Sequence, residues 1–232
     1  AGRDITVLFG GHSDEGARLD TWEWDEGSWT SASSGALAAL GGRSNHAMSY
    51  DAERGVTVLF GGQVNMGEGM LGDTWEWTDE AQAEHTWVLH QPQGDTPTSR
   101  AGHFLGYDPA WDMTMLIGGH DGTQPCQDIW LWDGEQWHEV PITGSQPTVE
   151  LTENTISHTV TWDSDRQRAV LFGGAVPTDP EEAQEFVASS WEWDPGLDRR
   201  PGQSFNVDWP YAQASSDAEI TSLGVRWDVG AT

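Results

Sequence analysis

The chain contains no lysine. Its ten basic residues are all arginine, set against 38 Asp and Glu, for a formal charge of −28. An imbalance of that size repels a polyanion, so nonspecific binding to nucleic acid is excluded as a first reading. It also disfavours an anionic membrane surface. There is one cysteine, Cys126, so no disulfide can form within the chain and cysteine usage does not reveal the compartment. Apolar runs are short. None approaches the roughly 18 residues a spanning helix needs, so no direct membrane insertion is expected. Hydrophobic residues make up only 36%, which with this charge would suit a disordered chain. Fifteen Trp and 28 Gly argue against that, because disordered acidic chains are poor in aromatics.

What the sequence does have is a repeat. Val7-Leu8-Phe9-Gly10-Gly11 is followed by Trp22-Glu23-Trp24-Asp25. Val58-Leu59-Phe60-Gly61-Gly62 leads to Trp75-Glu76-Trp77, Met115-Leu116-Ile117-Gly118-Gly119 to Trp130-Leu131-Trp132-Asp133, and Val170-Leu171-Phe172-Gly173-Gly174 to Trp191-Glu192-Trp193-Asp194. The period is 51 to 57 residues, in the range of propellers and arrays. A unit this small cannot bury its own faces, so the repeats form one module.

The second repeat sets the pattern. Residues 43–51 alternate like a half-buried strand and end in the turn Ala52-Glu53-Arg54-Gly55. Val56 to Phe60 predicts a second strand, broken by Gly61-Gly62. A polar loop from Gln63 to Gly72 leads to a third strand, Asp73 to Thr78, whose Trp75 and Trp77 share a face. A fourth strand lies around Trp87-Val88-Leu89. Four short antiparallel strands per repeat is the content of a propeller blade. The blades read as 1–42 (lacking its first strand), 43–99, 100–152 and 153–208, the last with a fourth strand around Phe205-Asn206-Val207. A tail follows at 209–232, in which 220–228 reads as a strand. Either that tail supplies the strand missing from the first blade and closes a four-bladed ring, or the chain is part of a longer propeller.

Arg43-x-x-His46, Tyr50-Asp51, an apolar run ending Phe60-Gly61-Gly62, then Trp75-x-Trp77, resembles the kelch repeat in its bacterial form. Arg100-x-x-His103 and Tyr107-Asp108 repeat it, while the fourth unit keeps His158 and has Thr155 in the arginine slot. The resemblance covers residues 1 to about 195 and implies an all-β fold, a β-propeller of four-stranded blades. It does not imply one function, because kelch proteins include adaptors, sugar-acid epimerases and copper oxidases such as galactose oxidase. Copper chemistry of that last kind needs a Cys cross-linked to a Tyr, a second Tyr and two His. Only Tyr50, Tyr107 and Tyr211 accompany Cys126, and the first two are repeat-slot residues, so that chemistry is not expected.

His46, His103 and His158 share one slot, and His12 and His120 another. A residue recurring once per blade reads as structural, since a reaction site is asymmetric. The paired Trp read as packing between blades. Residues outside the repeat are the binding-loop candidates: Glu80, Glu84 and His85 between the third and fourth strands of blade two, Trp111 in a turn, and the adjacent pair Arg199 and Arg200. Asp179, Glu181, Glu182 and Glu185 offer oxygens of the kind Ca²⁺ takes, without the spacing of a calcium loop. Glu181 and Glu185, like Glu80 and Glu84, would share a face if helical. No cofactor is otherwise expected. The leading expectation is a non-catalytic binding or assembly module of an extracytoplasmic bacterial protein, with another protein, a surface glycan or copies of itself as partner. The alternative is an epimerase-like enzyme acting on a sugar acid, with Arg199 and Arg200 near a central channel.

Overall fold

The computed structural model describes residues 5–32, 37–65, 68–78, 86–109, 111–126, 128–140, 158–163, 168–173, 175–176, 185–186 and 190–193. The fold is all-β with antiparallel sheets, one sheet of three or four strands to each repeat. The first repeat holds β1 (Thr6–Phe9), the ribbon β2 (His12–Ser13) and β3 (Gly16–Ala17), then β4 (Thr21–Asp25) and β5 (Ser28–Ser31). A single helical turn, α1 (Leu37–Leu40), leads to the second repeat: β6 (Ala47–Asp51), β7 (Val56–Asn65), β8 (Glu68–Thr78) and β9 (Thr86–His90). The third has β10 (Phe104–Asp108), β11 (Met113–Ile117), β12 (Ile129–Trp132) and β13 (Trp137–Glu139). The fourth has β14 (His158–Asp163), β15 (Arg168–Gly173), the ribbon β16 (Ala175–Val176) and β17 (Glu185–Phe186), and β18 (Ser190–Trp193). The expected strands near Phe205 and at 220–228 lie outside the described residues.

Register is the same in every repeat. Phe9 faces Thr21, Phe60 faces Thr74, Ile117 faces Ile129 and Phe172 faces Ser190. Trp24 faces Trp29, Trp77 faces Trp87, and Trp132 faces Trp137. The nine-residue spacing from Asp51 to Phe60 recurs because Asp51, Asp108 and Asp163 each close a hairpin of one length.

Two expectations about the second repeat are corrected. The strand begins at Ala47, not Arg43, because the Arg43 backbone is spent on the preceding repeat: its N–H donates to Arg18 O at 3.0 Å and its carbonyl accepts from Gly11 N at 2.9 Å. Nor does Gly61-Gly62 end β7. The register shifts between Phe60 and Gly62, the strand kinks, and it runs on to Asn65, so the expected loop from Gln63 to Gly72 is largely the arms of a hairpin. Glycine is required at this kink. Gly61 has φ +62°, and a Cβ there would lie 2.6 Å from Arg100 O; Gly62, at φ +98°, would meet His46 Cβ and Ser44 O at 2.8 Å.

The sheets pack face against face. Ala47, Val56, Val58 and Phe60 meet Leu105, Leu116, Trp130, Trp132 and Trp137 of the next repeat. Phe9 and Leu40 likewise meet Leu59, Trp75, Trp77 and Trp87. The indole N–H groups reach across these junctions. Trp77 Nε1 donates to Glu23 Oε1 at 3.2 Å and Trp87 Nε1 to Thr21 Oγ1 at 2.9 Å; Trp132 Nε1 donates to Glu76 Oε1 and Trp137 Nε1 to Thr74 Oγ1, both at 2.9 Å. The packing role expected of the paired Trp therefore holds in the second and third repeats. In the first it fails: among the described residues no sheet covers that side, and Trp24 and Trp29 are exposed. Trp137→Phe would leave the Thr74 hydroxyl buried without its donor. A loss of about 1–2 kcal/mol in urea unfolding is expected, and an unchanged midpoint would remove this bond from the account of the junction.

Candidate binding face

Every sheet has two ends. At one lie the Gly-Gly pairs and the segments that follow them; at the other lie the hairpin turns Asp51–Val56 and Asp108–Met113. The post-glycine segments are equivalent in position and unlike in structure. In the first repeat it is the β2–β3 ribbon, where Ser13 Oγ caps the turn by accepting from Glu15 N at 3.3 Å and Arg18 pairs with Glu15 at 3.0 Å. In the second it is the extension of β7 and β8, pairing Gln63 with Met70 and Asn65 with Glu68. In the third, Asp121 Oδ1 gathers Thr123 N at 2.7 Å, Gln124 N at 2.8 Å and Thr123 Oγ1 at 2.7 Å into a tight turn. The Thr123 hydroxyl and these amides hold the Asp121 carboxyl below its ordinary value. In the fourth, β16 pairs with β17. The segments of the second and third repeats are neighbours, since a Cβ on Gly122 would lie 3.4 Å from Met70 Cγ. Loops that vary on a repeated scaffold are where recognition usually sits.

The ground beneath this face is tied by two buried arginines. Arg43 is fully buried, and its guanidinium forks onto Asp73 at 2.7 and 2.9 Å and donates to Gly61 O at 2.9 Å. Arg100 repeats this on Asp128 at 2.5 and 2.8 Å and on Gly118 O at 3.0 Å, while its backbone bonds Leu71 O and Gly62 N of the preceding repeat. Each arginine thus has its main chain in one repeat and its charge in the next. Burial would raise the pKa values of Asp73 and Asp128, but the guanidinium forks and the indole N–H groups of Trp75 and Trp130 outweigh it and hold both carboxyls low.

Glu76 is the other buried hub. Burial opposes its ionisation; His90, Trp132 and Arg54 each donate to it, at 2.9, 2.9 and 2.6 Å, and keep its pKa below the ordinary value. Gly134 of the third repeat leaves room for that arginine, because a Cβ there would lie 2.8 Å from Arg54 Nη1.

The histidine slot is structural in a way the repeat alone did not specify. His46 sets its ring edgewise on Phe9 of the preceding repeat at 5.5 Å, and His103 does the same on Phe60 at 5.4 Å. Burial, helped by the charge of Arg43, pushes the His46 pKa down to about 4. Cys126 is buried against Thr98 Oγ1 at 3.8 Å, and burial pushes its thiol pKa up, as suits an unreactive thiol.

Of the residues singled out from sequence, Trp111 and Glu185 lie among the described residues. Trp111 sits in the Asp108–Met113 turn, at the end of the sheet away from the varied loops. It is half-buried, and its backbone N–H caps Asp108 O at 3.2 Å. Glu80, Glu84 and His85 lie outside the described residues, as do Asp179, Glu181, Glu182, Arg199 and Arg200. Glu185 lies in β17, so the helical spacing considered for it and Glu181 is corrected to a strand at Glu185. Among the described residues there is no group of three or more His, Cys, Asp or Glu that could hold a metal ion.

Sequence reading missed Asp73 and Asp128 as partners of the arginines. A signal was present. An Asp stands two before the first Trp of the pair at Asp20, Asp73 and Asp128, and the fourth repeat lacks both members, with Thr155 in the arginine slot and Ser189 in the aspartate slot. No protein-family model matches this sequence, and no curated protein matches it.

Proposed function

We propose that the four repeats are blades of a kelch-type β-propeller and that the chain is a non-catalytic binding or assembly module of an extracytoplasmic bacterial protein. Its partners would be another protein, a surface glycan or copies of itself. One observation supports this most. Buried Arg43, Arg100 and Glu76 and half-buried Asp73 and Asp128 are spent on ties within and between repeats, whereas sequence variation gathers in the segments beyond the Gly-Gly pairs. That is a scaffold with its diversity at one end. The intact chain should retain a defined subset of a glycan array. Replacing residues 63–70 by the third repeat's 120–126 should weaken that retention at least tenfold without moving the unfolding midpoint. Retention that ignores every such replacement, or turnover of a sugar acid by the intact chain, would sink this reading.

A further inference from the structure

We draw no further inference here: the strongest candidate, the exposed sheet face of the first repeat around Leu8, Trp24 and Trp29, is an unpartnered apolar face, and nothing in the structure shows what covers it.

Discussion

Arg100→Ala should lower the unfolding free energy by about 3–5 kcal/mol, the range for removing one partner of a buried ion pair. Against a total stability of about 5–15 kcal/mol for a natural domain, that is a large share. The loss has three parts. Asp128 keeps its charge with only the Trp130 indole and its own backbone to hold it. Gly118 O loses a donor at 3.0 Å, and Thr98 loses two, at its carbonyl and its hydroxyl. The space of a fully buried guanidinium is left unfilled. Arg100→Lys should recover little, because a single ammonium cannot reproduce a two-pronged contact with a carboxylate while also reaching Gly118 O. The informative variant copies the fourth repeat. Arg100→Thr with Asp128→Ser removes both charges and leaves two small hydroxyls, so it should cost less than the sum of the single changes. Urea unfolding of the four proteins gives the coupling directly. A double variant as damaged as that sum would mean that the ion pair is not what links these residues.

That variant also marks where sequence was sufficient and where it was not. The strands were legible because their alternation and turns are local: Asp51 to Val56 and Asp108 to Met113 read as hairpins, and they are hairpins of one register. The repeat told the number of main sheets, because each Gly-Gly pair lies at the end of, or within, one apolar strand that pairs with the strand of the Trp-x-Trp motif. The Gly-Gly pair was misread at Gly61-Gly62, where the same two glycines that end a strand in the first and third repeats kink one that continues. The difference lies beyond the pair, in residues able to pair as Gln63 does with Met70, and period-2 reasoning stopped at the glycines. The junctions were half legible. That Trp75, Trp77, Trp130 and Trp132 are buried follows from their alternation. That Trp24 and Trp29 are exposed in the same slots does not, because exposure depends on what the neighbouring repeat covers. The candidate face fared worst. Its loops are defined by length and turn chemistry, as at Asp121, and such local capping says how a loop is held without saying what it holds.

Acid should expose a second large effect, centred on His46. Its ring is buried against Phe9 beside Arg43, and its pKa in the folded chain is pushed down to about 4. In the unfolded chain a histidine titrates near about 6.5. Between these values the unfolded state binds the extra proton, so stability falls as pH falls through that window. The stabilisation is fully present above about pH 6.5, and by pH 4.5 the loss should reach about 2–3 kcal/mol at about 1.36 kcal/mol per unit. The lowered carboxyls of Asp73, Glu76 and Asp128 act in a different window. Their contribution is present above the unfolded carboxylate values of about 4 and is lost only as pH drops through their lower folded values. His46→Gln keeps a donor for the Phe9 carbonyl but carries no titrating group. It should abolish the fall between pH 6.5 and 4.5 and leave the steeper fall below pH 4 intact. Unfolding midpoints in urea at half-unit pH steps separate the two windows. A variant with the same slope as wild type above pH 4.5 would show that His46 is not the group that makes this fold sensitive to mild acid.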